Sequence, residues 1–185
     1  MISYLVDVHR KVVPEASFRH YLFYVSFFPH VVAGPIVRAW QLVPQLRAPR
    51  RVRTDLAMGA HFLVTGIFLK SILADNIGGT IDPFWRAGTD LSFAERWLLA
   101  VLYYCQIYAD FAGYSLIALG MARLLGYRLP ANFRCPMLAG SLQEFWRRWH
   151  ITLYRWLRDY VYFGLGGSHR GYLRTGINIF ATMLG

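Results

Sequence analysis

The chain has 185 residues, of which 56% are hydrophobic and 17% aromatic, with only 16% charged and a mean hydropathy of +0.31. That composition excludes an ordinary water-soluble domain and points to a membrane protein. The net charge of +10 lies in loops between apolar runs, where positive-inside topology accounts for it, so no nucleic-acid partner is expected.

The N-terminus, MISYLVDVHRKVVPEASFRH, lacks the order of a signal peptide, because Asp7 interrupts the apolar residues and the positive charges follow them. It reads as an internal stretch of a longer protein. The first apolar run, Tyr21 to Val37, contains Pro29, Gly34 and Pro35, which leaves a straight span and a broken or re-entrant segment both open. Two further runs, Leu56 to Ala74 and Trp97 to Leu125, are each long enough to cross a bilayer. Lys70 and Asp75, at the end of the first of these, are expected to snorkel to the interface. Asp110 lies mid-span in QIYADFAGYS; it is either a functional group facing a cavity or a structural carboxyl bonded to Tyr108, Tyr114 or Ser115. Cys105 and Cys135 lack CxxC spacing, and neither a disulfide framework nor a metal site is expected.

Charge alternates along the loops. Arg38, Arg47, Arg50, Arg51 and Arg53 precede the first long span, Asp75, Asp82, Asp90 and Glu95 dominate the next loop, and nine arginines occupy residues 123 to 174. The positive-inside bias puts the first and third groups in the cytoplasm and the loop from Asp75 to Arg96 outside. A last apolar segment begins at Gly176 and stops after about half the ~20 residues of a crossing. Residues 1–185 are therefore expected to form part of a single transmembrane domain, cut at both ends.

Ser141 to Gly167, SLQEFWRRWHITLYRWLRDYVYFGLGG, carries the most information. Ser141 and Glu144 have capping-box spacing, and Gly164, Gly166 and Gly167 close the helical pattern. At 100° per residue, Leu142, Phe145, Trp146, Trp149, Leu153, Trp156 and Tyr160 share one face, while Arg147, Arg148, His150, Tyr154, Arg155, Arg158 and Asp159 share the other. A helix lying on the inner membrane surface explains this pattern. So does a catalytic stripe of Arg147, His150, Tyr154 and Arg158, in which flanking guanidiniums keep the imidazole neutral and able to act as a base. The following GLGGSHRG lacks the lysine and Ser/Thr of a P-loop, and reads as a cytoplasmic turn with His169 solvated.

FWRRWHITLYRWLRDYVYFGLGG, with QIYADFAGYSLIALGMARLLGYRLPANF and FFPHVVAGPIVR before it, resembles the membrane-bound O-acyltransferase (MBOAT) family, in particular its bacterial branch that acetylates alginate and related exopolysaccharides. The likeness runs from LVDVHR to the final residues. It implies an all-α, polytopic membrane fold ringing a tunnel, of which this chain is a part. His150 matches the family's first functional position, lining that tunnel, and Asp110 matches a position lining the central cavity. The family's second histidine belongs to a Trp-His-Gly motif on the following membrane helix, and none of His9, His20, His30, His61 or His169 matches it. Arg38 and Asn132 match family positions whose roles look architectural, with Asn132 satisfying freed backbone groups.

The resemblance implies a multi-pass protein of the bacterial inner membrane that passes an acyl group, acetyl foremost, from a cytoplasmic thioester such as acetyl-CoA to a hydroxyl of an extracytoplasmic polysaccharide. Periplasmic acyltransferase partners would complete the transfer, no bound cofactor is implied, and residues 1–185 alone would be inactive. Arg147, Tyr154 and Arg158 are the candidates for holding the donor, with Arg148 and Arg155 adding positive charge for its phosphates. Two other classes fit the residues: a transporter or channel with Asp110 on its path, and a non-catalytic membrane scaffold.

Overall fold

Helices supply every regular element among the described residues, and no strand occurs there. The computed structural model describes residues 2–12, 16–31, 34–47, 52–87, 91–169 and 171–184. In chain order the helices are α1 Ile2–His9, α2 Phe18–Ser26, α3 Phe28–Val31, α4 Ala39–Arg47, α5 Val52–Ile67, α6 Asp75–Ala87, α7 Phe93–Leu124, α8 Leu142–Arg148, α9 Ile151–Trp156 and α10 Tyr172–Leu184. A π-helical segment, Phe68–Ala74, makes α5 and α6 continuous, and a second, Leu157–Tyr162, prolongs α9.

The apolar run from Tyr21 to Val37 is broken: α2 stops at Ser26, Phe27 is extended, and α3 covers one turn. Of the two full spans expected, one helix among the described residues, Asp55–Trp85 with 31 residues, combines the length and apolarity of a crossing. Helix α7, at 32 residues and about 48 Å, has the length. Its tyrosines, Gln106 and Asp110 dilute its hydropathy. Arg50, Arg51 and Asp90, on which part of the charge pattern rests, and Ala33 of the AGPIVR motif lie outside the described residues.

The chain gathers into two compact units, Phe28–Gly34 with Ala48–Leu129, and Met1–Phe27 with Pro35–Arg47 and Pro130–Gly185. In the first, α7 packs antiparallel on α5 and α6 along a seam of glycines. A Cβ on Gly66 would stand 2.7 Å from the Gly113 carbonyl, and one on Gly120 would stand 2.9 Å from that of Gly59. Each pair, Gly59/Gly66 and Gly113/Gly120, is spaced by seven residues, so both glycines of each helix face its partner and the backbones touch. Buried Ala109, Ala112, Ala118 and Ala122 extend the small-residue face. Ser92 and Glu95 form a full reciprocal capping box at the start of α7, with Glu95 Oε2 accepting from the Ser92 N–H at 2.8 Å. Buried Asp55 pairs with Arg123 at 3.0 Å and Arg128 at 3.4 Å.

The second unit is built from short helices tied by polar contacts. Arg38 donates to the Arg155 carbonyl at 2.8 Å, pairs with Asp159 at 2.8 Å and lies 5.0 Å from the centre of the Tyr160 ring. The Tyr160 hydroxyl donates to buried Asp7 at 2.6 Å, which anchors α1. Arg38 therefore has the architectural contacts expected of it.

Candidate functional site

The continuous helix expected over the Trp-Arg-Arg-Trp-His stretch is two helices with a break. Ser141 caps α8, its Oγ accepting from the Glu144 N–H at 3.1 Å. The Glu144 carboxylate accepts from the Gly140 N–H at 2.8 Å and pairs with Arg148, so only half of the predicted capping box forms. Helix α8 ends at Arg148, Trp149 is extended, and His150 takes a left-handed conformation with φ 39° and ψ 55°. For a residue with a Cβ that conformation costs about 1–2 kcal/mol.

The break survives because its backbone groups find partners outside the helix. The Ile151 N–H donates to the Asn132 carbonyl at 2.8 Å, and the Arg134 N–H donates to the Arg148 carbonyl at 3.0 Å. The Thr152 hydroxyl donates to Asn132 Oδ1 at 2.8 Å and accepts from the Ile36 N–H at 2.9 Å. The Trp149 ring meets Phe133 edge-on, with centroids 5.1 Å apart, and stacks on Phe145 at 5.6 Å. Asn132 thus satisfies freed backbone groups, as expected from its sequence context.

His150, Tyr154 and Arg158 share the wall of a cavity of about 510 Å³ with Trp146, Trp149 and Leu153, closed on another side by Ile179 and Thr182 of α10. Residues from both predicted faces of the helix therefore line one space. On a regular helix Trp146 and His150, four residues apart, already lie only about 40° from each other, so the boundary between the two predicted faces is too sharp. Arg147 is exposed and is not among the residues lining the cavity, so the four-residue stripe loses its first member. Asp110 belongs to the other unit, where it pairs with Lys70 at 2.5 Å; Lys70 therefore meets a carboxylate within the helix pair.

Burial lowers the His150 pKa from 6.5 to about 4, so the imidazole is neutral at physiological pH. The sequence suggested the same state through flanking guanidiniums, but here the cause is burial. The Arg158 Nε donates to Asp159 Oδ1 at 2.6 Å, which raises the guanidinium pKa. Burial pushes the Asp159 pKa up, and the hydrogen bonds from Arg158 and Arg38 outweigh it and hold the carboxyl below its ordinary range. Arg148 is committed to Glu144, whereas Arg155 is exposed.

Helix α10 is fixed by buried Asn178, whose amide donates to the Gly167 carbonyl at 2.9 Å and the Leu165 carbonyl at 3.3 Å. The turn it grips has positive φ at Gly166 (100°) and Gly167 (57°). Thr152, Asn178 and Thr182 were not singled out in the sequence. For Thr152 the available signal was a hydroxyl two residues after the histidine, and for Asn178 an amide inside an apolar run.

A cavity walled by aromatic and aliphatic side chains, with one neutral imidazole, two phenols and a guanidinium in its lining, is suited to a reaction that excludes water. The family model described as MBOAT, membrane-bound O-acyltransferase family, matches residues 10–184, and the chain belongs to that family. Membership makes it a membrane protein. Over 184 residues, 99% of the chain, it is 38% identical to the "Probable alginate O-acetylase AlgI" of Pseudomonas putida. It is 39% identical over 156 residues to the peptidoglycan O-acetyltransferase of Helicobacter pylori, and 31% identical over 173 residues to the teichoic acid D-alanyltransferase of Bacillus subtilis. These alignments cover 83% and 87% of the chain. The chain spans 38%, 30% and 44% of the length of these three relatives.

Proposed function

We propose that this chain forms part of the transfer chamber of a multi-pass O-acyltransferase of the bacterial inner membrane. The enzyme moves an acyl group, acetyl foremost, from a cytoplasmic thioester such as acetyl-CoA to hydroxyls of an extracytoplasmic polysaccharide such as alginate. Periplasmic acyltransferase partners complete the delivery. The relatives named as O-acetylases and O-acetyltransferases support acetyl, and the relative named as a D-alanyltransferase supports reading the transferred group more broadly as acyl.

The observation that carries the proposal is His150, neutral and half-buried on the wall of an apolar cavity. Transfer breaks the acyl C–S bond and forms a C–O bond, and the hydroxyl proton passes through a base to the leaving thiolate. His150 positions the reacting groups. The family's second histidine, on the helix that α10 begins, acts as base or acyl acceptor. Exclusion of water favours oxygen-ester formation over thioester hydrolysis, and Tyr154 and Arg158 hold the donor where it enters.

The test replaces His150 by Ala in the full-length protein, expressed in cells lacking the native gene, with acylation normalised to membrane-inserted protein. Turnover is expected to fall by about a hundredfold. Arg155→Ala, on the exposed side of α9, should stay near wild type. Equal activity of His150→Ala and wild type would remove His150 from the site.

A further inference from the structure

The freed backbone groups at the left-handed turn are held by contacts that reach to two other segments of the chain. Left to its own periodicity, Leu142 to Trp156 forms one helix, with His150 on its polar face and the Ile151 N–H bonded within the ladder. Three strands of chain oppose that outcome: the loop at Asn132–Arg134, the extended segment at Ile36, and the first turn of α9. They meet at one side chain. Thr152 is 4% exposed, and its hydroxyl bridges Asn132 Oδ1 and the Ile36 N–H. Asn132 is 2% exposed, and it uses its carbonyl for Ile151 and its Oδ1 for Thr152.

We infer that Thr152 and Asn132 are positioning residues for His150, their hydrogen bonds holding the left-handed turn that keeps the imidazole on the cavity wall. The inference rests on the acyl-transfer proposal for its effect on rate, and on geometry alone for its effect on His150. A hydroxyl is required because one atom must both donate and accept. An apolar side chain of the same shape leaves Asn132 Oδ1 and the Ile36 N–H without this partner in a buried place. The break then loses its advantage over the continuous helix, and the imidazole is no longer held in its place on the wall.

The experiment compares Thr152→Val, isosteric but without the hydroxyl, with Thr152→Ser, which keeps it, in the full-length protein in native membranes. Two quantities are read: kcat and KM for acetyl-CoA, and the pH midpoint of His150 carbethoxylation followed by peptide mass spectrometry. Thr152→Val is expected to lower kcat by about tenfold or more with KM changed by less than about twofold. It should also move the midpoint up from about 4 toward 6.5, as the ring enters water. Thr152→Ser should restore both. Wild-type kcat and midpoint in Thr152→Val, or equal impairment of Val and Ser, overturns the inference. If His150→Ala retains activity while Thr152→Val still moves the midpoint, the acyl-transfer role fails and the positioning role stands. Asn132→Ala, expected to move the midpoint in the same direction, is the second variant should Thr152→Val fail to accumulate, and an unmoved midpoint there also overturns the inference.

Discussion

The α5–α7 pair and the α8–α9 break treat the backbone in opposite ways. In the pair every turn keeps its ladder intact, and glycines let two such ladders touch, with the Gly66 and Gly113 backbones in mutual contact. At the break the ladder opens at Trp149 and His150, and the freed groups pass to Asn132 and Arg134. The first arrangement makes a stiff wall from small residues. The second spends stability on a strained residue and gains an imidazole facing a cavity, so reactive groups gather where the ladder opens.

The strongest way to break this comparison is to widen the seam. Gly113→Leu puts a branched side chain where even a Cβ would stand 2.8 Å from the Gly66 carbonyl. The expected loss is about 3 kcal/mol, seen as a drop in membrane-inserted protein and in the thermal midpoint in detergent. Gly79, with nothing within 4 Å of an added Cβ, is the control, and Gly79→Leu should accumulate normally. Equal losses at the two positions would mean that the helices do not meet through their backbones.

A smaller effect separates a structural Asp110 from a reactive one. A double-mutant cycle of Lys70→Met and Asp110→Asn should give a coupling energy of about 0.5–1 kcal/mol in unfolding, discounted for side chains that are 37% and 51% exposed. Zero coupling, with activity lost in Asp110→Asn alone, would move Asp110 from the helix pair to the chemistry.

A further effect is a pH dependence. His150 has a folded pKa near 4 and an unfolded value near 6.5, so the unfolded chain binds a proton before the folded one does. Its contribution to stability is constant above about 6.5 and is lost as pH falls from there toward 4. Subtracting the profile of His150→Asn, which tolerates the left-handed turn, isolates this contribution. A difference that stays flat between pH 7 and pH 4 would contradict a buried, neutral imidazole.

Much of the wall was legible in the sequence, and less of the site. Apolar length pointed to two long spans, of which one helix among the described residues combines length and apolarity, and the prolines at 29 and 35 raised a broken run as one of two readings, because both signals follow from local chemistry. The glycine seam was not read, although Gly59, Gly66, Gly113 and Gly120 carry its heptad spacing, since pairing two helices needs tertiary information. His150 was found from its motif, and Tyr154 and Arg158 from their spacing to it. The division into two faces was drawn too sharply: Trp146 and His150, four residues apart, lie only about 40° from each other on a helix, and both line one cavity beside the left-handed turn. Nothing in the local pattern of WRRWHIT marks that turn, because its partners, Asn132 and Ile36, lie far away in sequence.

The most direct measurement is donor protection of His150. The full-length protein in native membranes is carbethoxylated at pH 7 with and without saturating acetyl-CoA, and the His150 adduct is quantified against that of exposed His169. Acetyl-CoA should suppress the His150 adduct by about tenfold and leave His169 unchanged. Equal labelling of His150 with and without the thioester would contradict a donor bound in this cavity.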